Sequence, residues 1–343
     1  MIKRTSLVGL AIFLAAGLAL VGCSSVADTA ATAGSSEEAE AATITLYTSE
    51  PQEKIDEIIA AFNEQQPNIT VNVFRAGTGD LTARIAAERT GDEIQADVLL
   101  AADSATFEAF KADNLLLKYT PVDIESVNPD VIDPDGFYVG TRIIPTVIAY
   151  NTNSVDSPPT SWKDLTDTQY AGKIVMPNPD VSGAAAYNAA VWYSDNALGE
   201  NWLTELAANK PIIADSNGPV AQAVASGTQP IGVVVDFLVR SLRDAGSPID
   251  LIYPSDGVPY VSQPVGIFAN TDEPEAAGLF VDFLISSAGQ SIAVAQSYLP
   301  IRNDVGTPEG APAIDDINIV TPDLVMIAKN KPIAVALFSK LFG

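Results

Sequence analysis

Residues 44–74 read ITLYTSEPQEKIDEIIAAFNEQQPNITVNVF, and this stretch decides the fold. Its two ends, Ile44 to Tyr47 and Ile69 to Phe74, are short runs rich in β-branched and aromatic residues, the composition of strands. Between them Ile55, Ile58, Ile59 and Phe62 recur at helical spacing and form one apolar face. Ser49, with Gln52 three residues on, predicts a capping box that opens this helix. The unit then repeats. Leu81 to Arg89 reads as the next helix, stopped by Gly91; Asp97 to Ala101 is a third strand, and a helix follows from Ser104 to Asp113. Such alternation predicts a parallel sheet with helices on both faces, and the fold class is α/β.

A second α/β unit lies further along. Its strands are Lys173 to Met176, Ile212 to Asp215 and Ile231 to Val235, and its helices Gly183 to Asp195 and Pro219 to Ser226. Two long extended segments, Arg142 to Asn151 and Pro259 to Asn270, flank it. Pro145 argues against a central strand and for an edge or crossover strand. Two more helices, Glu273 to Ser286 and Gly289 to Gln296, precede a helical C-terminus. A chain that crosses twice between two α/β lobes has the plan of a hinged clamshell with two crossover hinge strands. Residues 44–146 and 263–343 would form one lobe and 147–262 the other. Open sheets bind ligands at the carboxyl ends of their strands, so the cleft between lobes is the expected site.

Composition narrows the chemistry. The 343 residues include 43 acidic and 18 basic side chains, a net charge of −25, one cysteine and no histidine. A 47% hydrophobic content suffices for a core, and 18% charged residues are too few for a disordered chain. Without histidine there is no Ser-His-Asp or Cys-His machinery and no His-containing zinc site. The negative charge repels phosphate backbones, which excludes nucleic acid as a natural partner. One cysteine allows no disulfide within the chain.

That cysteine also places the protein. Lys3 and Arg4 precede an apolar run from Leu7 to Gly22, shorter than the about 20 residues of a membrane span. The run ends Leu20-Val21-Gly22-Cys23, followed by Ser24 and Ser25. It resembles the bacterial lipoprotein signal, in which the cysteine becomes the first residue and receives a diacylglyceryl group. Residues 1–22 are then a signal peptide. Residues 23–43, mostly Ala, Thr, Ser and Glu, form a flexible tether. The expected location is extracytoplasmic, with the protein held at the membrane by a lipid anchor on Cys23.

Four loops that join a strand end to a helix start carry small polar residues: Thr48-Ser49, Gly77-Thr78-Gly79, Asp103-Ser104 and Ser182-Gly183. Each offers free backbone N–H groups and the positive end of a helix dipole, an anion site. Plain helix capping accounts for any one of them alone; four around one cleft favour a ligand. Asp236 follows the strand Ile231 to Val235 and is expected either to point into the cleft or to cap the helix through Arg240 and Arg243. Tyr187, Trp192 and Tyr193 read as core. Gly77-Thr78-Gly79 lacks the lysine of a P-loop, so nucleotide binding is poorly supported.

Several of these stretches are similar to one known family. They are Leu46-Tyr47-Thr48-Ser49, Gly77 to Glu88, Ala96 to Leu99, Tyr170 to Ile174, Asn178 to Ala184 and Ile231 to Asp236, in this order and spacing from residue 44 to 343. The chain resembles extracellular solute-binding proteins of ABC importers, in the ferric-ion, phosphonate and phosphosugar branch of the type II periplasmic-binding fold. The resemblance implies a monomeric receptor, not an enzyme, that needs no cofactor and hands a small solute to a permease and ATPase complex. Ferric-binding members carry tandem tyrosines after the strand equivalent to 231–235, often with a histidine near the first strand. Here those positions read Asp236-Phe237 and Glu50. The Val-Asp-Phe run and the Ser182-Gly183 loop are closer to members that bind organophosphorus compounds. That implies Thr78 and Ser182, with Thr48 and Ser49, around a phosphonate or phosphate ester, and Asp236 on an amine or hydroxyl. Ferric iron binding is the alternative reading; a carboxylate-pair hydrolase and a purely structural surface protein are the remaining ones.

Overall fold

The structure, a computed structural model, describes residues 41–343 apart from residue 92. The signal segment, Cys23 and nearly all of the tether lie outside the described residues. In chain order the elements are β1 (Ala42–Thr48), α1 (Gln52–Gln65), β2 (Ile69–Arg75), α2 (Thr78–Thr90), β3 (Val98–Leu100), α3 (Ser104–Ala112), β4 (Tyr138–Gly140) and β5 (Ile144–Asn151). There follow β6 (Ile174–Pro177), α4 (Gly183–Ser194), α5 (Gly199–Ala208), β7 (Ile212–Ala214), α6 (Asn217–Ala225), β8 (Ile231–Val235) and α7 (Asp236–Asp244). The chain ends with β9 (Ile249–Ile252), β10 (Tyr260–Val261), β11 (Pro264–Ile267), α8 (Pro274–Ile285), α9 (Ser287–Ala295) and α10 (Leu324–Phe342).

Two sheets form. The first has the order β2-β1-β3-β11-β4, the second β10-β5-β8-β6-β7 with β9 also on β5. Strands joined by helices pair in parallel: β1 with β2 and β3, β6 with β7 and β8. The expectation of a parallel sheet fails for the others. β11 runs antiparallel to β3 and β4, and β5 antiparallel to β8, β9 and β10. These strands flank the crossings at residues 141–143 and 262–263, where no helix carries the chain back to restore direction. Pro145 falls at the second residue of β5, opposite Tyr260, just before pairing with β8 begins at Thr146.

The first sheet is buried on both faces because its strands alternate into two cores. Ile44, Leu46, Val98 and Leu100 pack with Phe62, Phe280 and Phe283 on one side. Tyr47 and Leu99 pack with Leu81, Ile85 and Phe107 on the other. The second sheet has one large core, in which Trp192 meets Trp162 edge to face and Trp202 at a tilt. Trp192 and Tyr187 are core residues, as their alanine-rich helix suggested. Chain order groups α10 with the first lobe, yet it packs mainly on α4, and its Ile327, Ala334 and Phe338 enter the second core. These positions lie one or two helical turns apart, and Leu324, Ala328, Leu337 and Leu341 extend the same inward face against the second core.

The two lobes meet at one edge. The Gly79 N–H donates to the Val181 carbonyl at 3.3 Å. A Cβ added to Gly79 would lie 1.9 Å from the Asp180 carbonyl oxygen, and one on Gly183 2.5 Å from Thr78 Oγ1. Loops 77–79 and 180–183 therefore touch as backbone against backbone, and the clamshell is shut. Gly79→Ala should leave each lobe folded and hold them apart. Small-angle scattering is expected to show a larger radius of gyration than for the parent, and an unchanged radius would mean the approach tolerates a methyl group.

Candidate functional site

A cavity of about 670 Å³ lies where the two sheets face each other. Three helices begin at its wall: α2 with Thr78, α4 with Ser182 and Gly183, and α6 with Asn217 and Gly218. Each first turn leaves backbone N–H groups without intrahelical partners, and each dipole presents its positive end. Of the residues singled out in sequence, Ser49, Thr78, Ser182 and Gly183 line this space.

Thr78 is the most telling of them. Its side chain is buried, and its Oγ1 has no hydrogen-bond partner. A buried hydroxyl left unpaired costs about 1–3 kcal/mol unless something supplies the bond. Ser182 caps α4, accepting from Ala185 N at 3.3 Å and from Asn217 Nδ2 at 2.9 Å. Asn217 in turn accepts from Val235 N at 3.2 Å, so one side chain ties together the starts of α4 and α6 and the end of β8. Sequence reading missed Asn217, although Ser216-Asn217-Gly218-Pro219 has the same small polar strand-to-helix character as the four loops chosen. Arg75 also lines the cavity; its Nε donates to the Glu50 carbonyl at 3.2 Å, and it has no carboxylate partner among the described residues.

The remaining candidates, and the hydroxyl of Ser49, are engaged in other contacts. Thr48 Oγ1 is turned to the Glu50 N–H at 3.0 Å, inside the loop. Ser49 does not cap α1, which starts at Gln52 with Pro51 before it; Ser49 Oγ instead accepts from Ala102 N at 3.2 Å. Gly79 is taken up by the lobe contact. Asp103 caps α3 through Ala105 N and Thr106 Oγ1 and is bonded to Lys331 of α10, and Ser104 Oγ lies 3.2 Å from Ser262 Oγ. Asp236 does not point into the cleft. It is fully buried as the first residue of α7 and bonds Arg240 at 2.5 Å, one turn along the helix, and Tyr253 at 3.1 Å. Burial pushes its carboxyl up while Arg240 pulls it down.

Glu50, at the place of the ferric-site histidine, is equally committed. It pairs with Arg142 at 3.0 Å and accepts from Tyr298 at 2.7 Å and from Gln263 at 2.5 Å, all of them buried. Burial, and next Glu50, push the Tyr298 phenol well above its ordinary range. Among the described residues no group of three or more His, Cys, Asp or Glu is arranged to hold a metal ion. Of the buried carboxylates near the cleft, Glu50 is paired with Arg142 and Asp236 with Arg240, which leaves neither free for acid–base work.

Two facing sheets, two short crossings and a central cavity define a two-lobed solute-binding protein. The family of bacterial extracellular solute-binding proteins matches over residues 93–324, more than half of the chain, and the chain belongs to it. An ABC transporter periplasmic-binding protein of Sinorhizobium fredii is 27% identical over 224 residues, 62% of this chain; the match spans 62% of that relative's length. A Salmonella typhimurium periplasmic protein, named provisionally for 2-aminoethylphosphonate, is 27% identical over 256 residues, 69% of this chain and 71% of its own. Among solved structures, iron-bound HitA of Pseudomonas aeruginosa superposes with a TM-score of 0.77 at 23% identity, over 88% of this chain and 99% of that one. AfuA of Actinobacillus pleuropneumoniae, with fructose-6-phosphate bound, gives 0.77 at 22% identity over 87% and 97%. These relatives and neighbours are solute-binding transport proteins, not enzymes.

Because Asp236 carries fold rather than ligand, Asp236→Ala should strand Arg240 as a buried unpaired charge. The expected cost is about 3–5 kcal/mol of stability, read from denaturant unfolding. A loss under 1 kcal/mol would show that water reaches Arg240.

Proposed function

We propose that this protein captures a small oxyanion, a phosphonate or phosphate ester, in the interlobe cavity and passes it to an ABC permease and its ATPase. The observation that carries the reading is the unpartnered, buried Thr78 hydroxyl at the meeting point of three helix starts, with the exposed Arg75 guanidinium, which has no carboxylate partner among the described residues, nearby. Hydroxyl, backbone N–H groups and guanidinium are the donors a tetrahedral oxyanion needs. Glu50 is neutralised by Arg142, so among the described residues the unpaired acidic side chain at the wall is Asp80, which is exposed at the rim. A ligand spanning α2 on one lobe and α4 and α6 on the other contacts both only when they are shut, so binding free energy drives closure. Ferric iron finds no comparable donor set here.

The same reading places the protein outside the cytoplasm as a monomer, anchored through a lipid on Cys23. Cys23→Ser should abolish incorporation of labelled fatty acid into the protein, and labelling equal to the parent's would exclude the anchor.

A thermal-shift screen of phosphonates, sugar phosphates and ferric citrate tests the solute class. A ligand at 100 times its dissociation constant adds about 2.7 kcal/mol of stability. Thr78→Val keeps the shape and removes one donor, and should weaken a phosphonate by about 10- to 100-fold, the worth of a charged hydrogen bond. Stabilisation by ferric iron alone, or full phosphonate affinity in Thr78→Val, would refute the reading.

A further inference from the structure

We infer that the captured anion carries an uncharged apolar tail, as in an alkyl or aryl phosphonate or phosphate monoester, rather than an amine or a polyol. The inference rests on the oxyanion reading above and specifies the opposite end of the same ligand. Thr78 and the three helix starts define the headgroup end at the edge where the lobes meet. The wall beside the two crossings is different in kind. Ile144 opens β5, Val261 closes β10, Phe237 and Leu238 begin α7, and Tyr298 stands between them; all line the cavity and none is acidic.

Aromatic faces ordinarily attract an ammonium group. Here the rings already carry cations, which stand behind the cavity wall and not on its lining. The Phe237 and Tyr298 rings lie 4.2 Å apart, Lys54 Nζ is 5.4 Å from the first and 5.0 Å from the second, and the Arg142 guanidinium is 4.5 Å from Tyr298. A solute ammonium would meet two cations already in place. Glu50, the one carboxylate on this side, is matched by Arg142 and by two donors, and Asp80 is solvated on the α2 side, where an ion pair contributes little. A polyol fares no better, because the Tyr298 hydroxyl and the Gln263 amide are both engaged with Glu50, and hydroxyls left unpaired against Ile144, Val261 and Leu238 are penalised. Apolar surface, by contrast, gains on burial there.

Thermal-shift titration of the full-length protein with propylphosphonate and 2-aminoethylphosphonate tests this directly. The two share headgroup and chain length and differ by a methyl against an ammonium group; inorganic phosphate supplies the headgroup alone. Propylphosphonate is expected to bind at least tenfold more tightly than either. Equal or tighter binding of 2-aminoethylphosphonate, or phosphate as tight as propylphosphonate, overturns the tail assignment and leaves the oxyanion reading standing. No stabilisation by any of the three overturns both. Leu238, only half-buried, gives a second check: Leu238→Asn should narrow the propyl preference severalfold, and an unchanged ratio would also overturn the assignment.

Discussion

The buried pair of Glu50 and Arg142 is the constraint around which the rest of the molecule is arranged. Glu50 comes from the loop after β1, Arg142 from the first crossing, Gln263 from the second and Tyr298 from the turn after α9. One carboxylate thus holds both hinge strands and the C-terminal part of the first lobe. Such a charge is tolerable in the interior because an arginine stands 3.0 Å away as counter-charge and two neutral donors hydrogen-bond it. Gln263 shows how firmly the point is fixed. Its φ of +43 is a left-handed conformation uncommon for a residue with a side chain, and its carbonyl accepts from Thr141 Oγ1 across to the other crossing. The consequence reaches the cavity. Neutralising Glu50 at the floor leaves the helix dipoles and Arg75 as its dominant polarity.

This resolves the conflict between an anionic ligand and a protein of net charge −25. Surface carboxylates repel an anion at long range, but at physiological salt their field decays over about 8 Å. On the proposed reading, N–H groups and the buried Thr78 hydroxyl act at contact distance in a medium of lower dielectric, with the exposed Arg75 guanidinium at the rim. The global charge slows encounter and local geometry sets affinity. Closure strengthens the local term, because loops 77–79 and 180–183 touch and shield the headgroup from water.

Period and punctuation carried most of the fold. The helical face at Ile55, Ile58 and Phe62, the buried run at 231–235 and the two extended crossings were legible, since each is a local pattern that tertiary packing reinforces. What escaped was set by distant partners. Ser49 looks like a helix cap, but Pro51 takes the position before α1 and Ser49 serves a neighbouring strand end. β4 and β9 are short strands that exist because β11 and β5 offer them an edge. In the site, Thr78, Ser182 and Gly183 were recognisable because helix starts are chemically marked. Phe237 and Tyr298 were not, because a wall of side chains drawn from separate elements has no spacing to read.

Asp236 shows why position in a family pattern does not transfer function by itself. By the family resemblance drawn from the sequence, the residue stands at the position of the first tyrosine of ferric-binding members, directly after a buried strand. A phenol there is long enough to reach over the helix start into the cleft. A carboxylate is short and needs a counter-charge once buried, and the helix supplies one at the next turn, since residues 236 and 240 lie on the same face. With Arg240 further fixed by Tyr253 and by the Ser297 carbonyl, turning Asp236 toward the cavity would break its ion pair and strand Arg240, even though Asp236 Oδ1 itself has no hydrogen-bond partner. The neighbouring Phe237 then takes the cavity face. Substituting Asp-Phe for two tyrosines therefore does more than delete ligands: it replaces an anionic oxygen surface with an aromatic one.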